Sequence, residues 1–343
     1  MTRVGLVGAG SMGRNHLRVL ADLEEADLVA VCDRDPAILS AAAGKYGVAT
    51  HVSWKEMFDR EQLDAVVIAV PTQFHLEVAR AALVSGLDVL VEKPIAANLE
   101  EGKGLIQAAA QAGHILAVGH IERFNPAVRE LKRRVETGEL GRVYQVHAIR
   151  NGPFAPRVRD VGVVIDLATH DLDVMYEVVG SEVVRLYAET EQRIHTEHED
   201  LLNALLKFEG GAIGVLQANW LTPTKIRQLS VLGEKGLFVA NYLTQELTYY
   251  KNASIEMDWE SPGHPSSVSE GEMVRYPIAQ DEPLRLELKS FLNSVSGGGP
   301  PEVDGKAGLR ALQLAEALIA SARETRVIAG DELNALLSTR PVA

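Results

Sequence analysis

The stretch TRVGLVGAGSMG at residues 2–13 constrains the fold of this 343-residue chain more than any other. A short apolar run, Val4 to Val7, leads into Gly8-x-Gly10-x-x-Gly13, and a helical pattern follows through Leu17 and Leu20. Strand, glycine turn and helix is the context in which these glycines carry meaning. The first permits a tight turn, the second lets backbone approach a pyrophosphate, and the third lets helix and strand pack closely. The new helix offers free N–H groups and the positive end of its dipole to phosphate. Gly8, Gly10 and Gly13, with Ser11 and Met12 inside the turn, are therefore candidate contacts to a dinucleotide.

The next apolar run, DLVAVCD at 27–33, ends in Asp33, 20 residues after Gly13. An acid at about that distance meets the hydroxyls of an adenosine ribose. Asp33 repels a 2′-phosphate, whereas Arg34 beside it is suited to stack on adenine or to pair with that phosphate. The charge balance favours NAD, with NADP as the alternative.

The alternation continues. AVVIAV (65–70), DVLVEKP (88–94) and HILAVGH (114–120) read as strands, with helical stretches at 76–83 and 99–112 between them. Repeated strand–helix units predict a parallel, doubly wound sheet. Ligands on such sheets sit beyond the carboxyl ends of the strands. His75, Glu92, Lys93, His120 and Arg123 all fall at or just past such ends. Pro94 biases Lys93 toward extended backbone, a conformation that aims an ammonium into a cleft. An ordinary surface lysine is the other reading.

After about residue 140 the texture changes. RVYQVHAIR (142–150) alternates as a strand does, and further strand candidates follow at 182–190, 201–208, 211–219, 226–233 and 236–240. Runs of adjacent strands predict an antiparallel or mixed sheet and an α+β domain. Helices are expected at 166–179, at 282–295 and around Leu312, Ala315, Ile319 and Ala322, and 252–272 reads as a long loop.

Composition excludes several function classes. The net charge is −13, from 34 basic and 47 acidic residues, which argues against nucleic acid or an anionic membrane as partner. One cysteine, Cys32, rules out an intramolecular disulfide and a Cys/Cys zinc site. No apolar run approaches the roughly 20 residues that span a bilayer. The first residues enter a strand without a secretory pattern, so a cytoplasmic protein is expected.

DLATHDLD at 166–173 is the densest cluster of chemistry. Asp166 and His170 are four apart and share one face of a helix. They suit an acid–base pair, but Asp166 also suits a helix start and His170 a hydrogen-bonded core position. Asp171 and Asp173 read as polar contacts or a solvated face. Asp166, His170 and Asp173 form a conceivable zinc set. No metal is assigned, because nicotinamide chemistry does not need one.

Gly8-x-Gly10-x-x-Gly13, Glu92-Lys93-Pro94 and Asp166-x-x-x-His170 occur in the order seen in the Gfo/Idh/MocA oxidoreductases, and the chain resembles that family over nearly its whole length. The resemblance implies an α/β protein: an N-terminal Rossmann doubly wound parallel sheet over 1–121, then an α+β substrate-binding domain over 122–343 with a large, open, mostly antiparallel sheet. It implies a homodimer or homotetramer built through that sheet. Lys93, Asp166 and His170 inherit the catalytic roles. Pro71, Thr72 and His75 in VPTQFHLE resemble a segment lining the nicotinamide side, and Glu92 joins them as a cofactor contact. GHIERFNPAVREL (119–131) and GPFAPRVRDVGVVIDLATHDLDVM (152–175) are similar to the UDP-N-acetylglucosamine 3-dehydrogenase branch. Many relatives carry paired glycines before the Asp-x-x-x-His motif. Here the stretch is Asp160-Val161-Gly162-Val163-Val164, which departs from the inositol and glucose enzymes.

The implied activity is transfer of a hydride between a sugar hydroxyl and NAD. Histidine titrates near neutrality and suits the base. His170 takes that role, Lys93 stabilises developing alkoxide charge, and Asp166 orients the imidazole. Arg123, Arg157 and Arg159, with Asn125, are candidate substrate contacts, since guanidinium groups suit a diphosphate. Alternatives are an inositol or free-sugar dehydrogenase, a redox-neutral lyase or hydrolase that uses NAD transiently, and a non-catalytic NAD-binding sensor.

Overall fold

A computed structural model of the chain describes residues 1–154, 161–195, 197–253, 270–330 and 332–333. It divides into two compact units, Met1–Phe124 with Asp281–Gln313, and Asn125–Gln280 with Leu314–Ala343.

The first unit alternates strand and helix: β1 (Thr2–Val7), α1 (Gly13–Leu20), β2 (Ala26–Cys32), α2 (Pro36–Tyr46), β3 (Ala49–His51), α3 (Trp54–Arg60), β4 (Ala65–Ile68), α4 (His75–Val84), β5 (Asp88–Glu92), α5 (Leu99–Ala112) and β6 (Leu116–Gly119). The strands form one six-stranded sheet in the order β3-β2-β1-β4-β5-β6. Every pairing between them is parallel. This is the doubly wound order whose switch point lies at β1, beside β4. β1 and β4 are covered on both faces, which is why their residues read as continuous apolar runs. Helix ends follow local chemistry. Asp35 caps α2 by accepting the Ala37 N–H at 2.8 Å, with Pro36 in the first turn. Asn98 and Glu101 form a reciprocal cap at the start of α5.

The second unit begins with α6 (Pro126–Glu136) and β7 (Val143–Pro153). A π-helical turn, Val164–Ala168, then runs into α7 (Thr169–Val179). β8 (Val183–Glu191), β9 (Leu201–Phe208), β10 (Ile213–Asn219), β11 (Leu221–Gly233), β12 (Gly236–Asn241), β13 (Glu246–Asn252) and β14 (Glu270–Tyr276) follow. The sequence predicts one regular helix at 166–179, and the π turn is the difference. The expected loop at 252–272 starts inside β13 and ends inside β14, while 254–269 lie outside the described residues. Helices α8 (Pro283–Val295) and α9 (Gly305–Glu324) and a short β15 (Ile328–Ala329) complete the chain.

The large sheet has nine strands in the order β14-β13-β12-β11-β7-β10-β9-β8-β15, and only β7 and β10 run parallel. Burial alternates along β9, β10 and β12, so one face packs on the core and the other is open. The core face rests on α6 and α7, with Leu131, Leu172, Met175, Leu206, Phe208 and Phe238 among its buried residues. α8 belongs to the first unit, where Leu284, Leu288, Phe291 and Leu292 join Leu17 and Leu20 of α1 in one apolar cluster. Among the described residues no helix is long and apolar enough to cross a membrane.

Candidate active site

In the first unit the glycine turn is forced by geometry. Gly8 adopts φ +89°, and a Cβ there would lie 2.6 Å from the Ala69 carbonyl oxygen. A Cβ on Gly13 would meet the Gly8 carbonyl oxygen at 1.9 Å. At Gly10, by contrast, a Cβ meets nothing within 4 Å among the described residues, so backbone there faces open space. Ser11 and Met12 carry the chain from this turn into α1.

A cleft of about 280 Å³ opens beside the turn, lined by Gly8, Gly10, Asp33, Arg34, Pro71 and Phe74 among others. Asp33 sits at its rim, one residue past β2. One carboxylate oxygen accepts the Ala9 N–H at 2.7 Å and the other the Asp35 N–H at 2.9 Å. The Arg34 guanidinium lies 5.0 Å from the Phe74 ring centroid, a cation–π distance. Cys32 also lines the cleft, and burial pushes its thiol up to about 12. It is a neutral wall group, not a nucleophile. The tight turn, the open Gly10 backbone, the helix start and the rim carboxylate fit the pyrophosphate and adenosine ribose of NAD.

Past β4, Pro71 leads into a 3₁₀ turn, Thr72–Phe74, and His75 opens α4. The His75 ring is buried, with Nδ1 2.9 Å from the Pro94 carbonyl oxygen and Nε2 2.9 Å from that of Val70. Burial pulls its pKa below the ordinary value against the opposing pull of those carbonyls. Past β5, Glu92 accepts from His16 Nε2 at 2.7 Å and from the Lys93 backbone N–H at 3.2 Å. Burial alone would raise the Glu92 carboxyl, but the hydrogen bond and electrostatic pull of His16, with the nearby Lys93, bring it below the usual value. Lys93 is half-buried and its bond to Pro94 is cis. Glu287 on α8 is buried, and neither carboxylate oxygen has a hydrogen-bond partner among the described residues. Burial, with the negative charge of Glu92, holds its carboxyl well above the usual range.

Arg123 lies in the 3₁₀ turn Ile121–Phe124 and donates to the Glu302 carbonyl at 3.4 Å. Asn125 caps α6: its side-chain oxygen accepts the Ala127 N–H and its amide donates to the Tyr242 carbonyl, both at 3.1 Å. Arg157 and Arg159 lie outside the described residues.

In the second unit the π turn carries Asp166, and His170 stands in the first turn of α7. Both are half-buried, while Val164, Ala168, Thr169 and Asp171 around them are buried. Glu199 caps this segment. Its backbone carbonyl accepts the Val163 N–H at 2.9 Å and its carboxylate the Val164 N–H at 3.2 Å. A Cβ on residue 162 would lie 2.0 Å from that carboxylate, which accounts for Gly162. The solvated-face reading of Asp171 and Asp173 is corrected, since both are buried. Asp171 instead forms a two-point ion pair with Arg150 of β7, at 2.5 and 3.2 Å. Local pattern shows neither this pair nor the His16–Glu92 pair, because the partners are 21 and 76 residues apart. The one available signal for His16 is a histidine on the apolar face of α1.

Comparison with known proteins covers both units. Residues 2–120 match the profile of an oxidoreductase family with an NAD-binding Rossmann fold, and residues 128–239 match a GFO/IDH/MocA C-terminal domain. The chain is 28% identical over 313 residues to a UDP-N-acetylglucosamine 3-dehydrogenase of Acidithiobacillus ferrooxidans, covering 91% of this chain and 95% of that one. It is 30% identical over 325 residues to an inositol 2-dehydrogenase of Corynebacterium glutamicum, covering 87% and 95%. A structure of the WlbA dehydrogenase from Bordetella pertussis, solved with NADH and UDP-GlcNAcA, superposes with a TM-score of 0.79 at 28% identity, covering 96% and 98%.

Proposed function

The chain belongs to the Gfo/Idh/MocA family of NAD-dependent oxidoreductases acting on CH–OH groups, and from that premise we propose that its substrate is a nucleotide sugar, oxidised at the 3-hydroxyl of UDP-N-acetylglucosamine in the sharpest version. The observation that carries the acid–base reading is the exposure of the π turn. Asp166 and His170 stay half-buried, as do Ile165 and Leu167, while Val163, Val164, Ala168, Thr169 and Asp171 are sealed in the core. π turns of this kind recur at functional sites. The nucleotide-sugar reading draws on likeness to the A. ferrooxidans enzyme and on the two arginines that sequence places between Phe154 and Val161.

In this reading His170 holds the hydroxyl proton as the bond polarises and returns it in the reverse direction. Lys93 donates to the same oxygen and offsets its developing charge. Asp166 orients the imidazole. Bound NAD supplies the hydride acceptor. Asp33 favours a free 2′-hydroxyl over a phosphate, and so NAD over NADP.

The test is a panel of UDP-sugars, free sugars and inositols with NAD and NADP, followed by absorbance of the reduced cofactor. UDP-N-acetylglucosamine with NAD should give the highest kcat/KM. Replacing Arg157 and Arg159 with alanine should raise its KM about 10- to 100-fold, the weight of one or two charged hydrogen bonds, and leave a neutral sugar unaffected. A higher kcat/KM with inositol would favour the inositol reading, for which the 30% identity to the C. glutamicum enzyme speaks. Product without reduced cofactor would favour redox-neutral chemistry.

The open face of the large sheet suits a second copy of the chain. Register places Met273, Tyr250, Leu237, Leu232 and Ile213 along one lateral row, with Leu205 in the next. Leu205 is 54% exposed and Met273 64%. Gln145 interrupts the row between Leu232 and Ile213, but exposed apolar side chains clustered on one face still suit an association surface. Light scattering should show an oligomer that L205E/I213E converts to a monomer with NADH binding retained; an unchanged mass would remove this face from the assembly.

A further inference from the structure

Lys93 is held by its backbone, through the partly buried Glu92 and the buried histidines His16 and His75. Its N–H donates to Glu92 Oε2 at 3.2 Å. The other oxygen of Glu92 accepts from His16 Nε2 at 2.7 Å, and the His16 side chain is 0% exposed. His16 stands one turn into α1, just beyond the glycine turn. On the other side of the lysine, the Pro94 carbonyl faces His75 Nδ1 at 2.9 Å, and the same ring reaches Val70 at the end of β4. The peptide unit before the lysine is thereby tied to α1, and the one after Pro94 to the β4 end. The Glu92 side chain also packs against the end of β6. A Cβ on Gly119 would lie 3.1 Å from Glu92 Oε2, so a residue larger than glycine would crowd the carboxylate.

We propose that His16, Glu92 and His75 are positioning residues that clamp the Lys93–Pro94 backbone to the dinucleotide turn. Sequence reading groups Glu92 and His75 with the cofactor contacts. Their polar atoms also reach Lys93, Pro94, Val70 and His16, all within the first unit. The clamp makes the cofactor helix and the lysine one rigid body, so that the lysine ammonium is placed relative to the nicotinamide end. Burial and the negative charge of Glu92 raise the Glu287 carboxyl, whereas His16 and Lys93 hold that of Glu92 down.

The inference rests on the catalytic role of Lys93 in the proposed function, and its test separates the two. The variants are His16→Leu, which cuts the tie, and His16→Gln, whose amide N–H stands in for Nε2–H. His16→Leu should lower kcat by about 10²-fold, the scale of an ångström of misplacement, with the NADH dissociation constant and substrate KM within about twofold of wild type. His16→Gln should recover most of the loss. Wild-type kcat in His16→Leu overturns the clamp. So does a loss of NADH affinity that matches the loss of kcat, because the pair would then serve the turn alone. Glu92→Gln, whose single amide oxygen can accept from His16 or from the Lys93 N–H but not from both, decides by the same two readouts if His16→Leu does not fold. If wild-type enzyme turns over no member of the panel, the dehydrogenation reading has failed. The clamp is then tested by the rate at which an activated ester acylates Lys93, measured by peptide mass spectrometry. A changed rate in His16→Leu supports it and an equal rate overturns it.

Discussion

Asparagine in place of His170 is expected to lower kcat by about 10²- to 10⁴-fold, the range for losing a positioned general base. Fluorescence titration should show NADH binding unchanged, because the glycine turn, Asp33 and the cleft all lie in the first unit. Asparagine keeps a polar side chain at the first turn of α7, so the fold has little reason to change. Lys93→Met should give a loss of similar size, since it removes the donor to the oxygen that gains charge. In the proposed mechanism the two groups act on one proton-and-charge event, so the double variant should lose little more than the worse single one. Losses that simply multiply would mean that the two side chains act in separate steps. Turnover near wild type in His170→Asn would end the assignment of His170 as base.

The parts of this site that were legible in the sequence are those whose chemistry is local. Gly8 needs a positive φ and Gly13 a missing Cβ, and both demands fall within one turn of chain. Asp33 is legible because a parallel strand of ordinary length carries an acid to the rim of the same cleft. Lys93 is legible through the proline after it. What stayed hidden depends on partners distant in sequence. His16 finds Glu92 across 76 residues, and Arg150 finds Asp171 across 21. For Asp171 the sequence therefore left a polar contact and a solvated face both open. The return of α8 to the apolar cluster of α1 was hidden for the same reason: periodicity shows which face of a helix is apolar, not what covers it. The π turn at Val164–Ala168 has no side-chain signature, since its five residues, VIDLA, suit an α-helix equally well.

Removing Arg150 should be the most destabilising single change in the second unit. Its guanidinium donates twice to Asp171, and the two side chains are 5% and 1% exposed. Arg150→Met would leave the Asp171 carboxylate buried without this partner, which costs about 3–5 kcal/mol. For a unit of this size that lowers Tm by roughly 10 °C. Asp171→Leu should cost a similar amount, by stranding the guanidinium over the ring of Tyr242. The double variant R150M/D171L should recover most of the loss, because a buried ion pair replaced by apolar groups of similar volume is often neutral or stabilising. If instead the two losses add, the pair contributes nothing as a pair and each side chain matters through its own packing. The same double variant says what the pair is for. Asp171 follows His170 directly in α7, and its tie to β7 fixes the rotation of that helix about its axis. A double variant as stable as wild type but slow in turnover would show that the ion pair sets the direction of the His170 ring. Stability and turnover restored together would reduce it to a core element that apolar packing can replace.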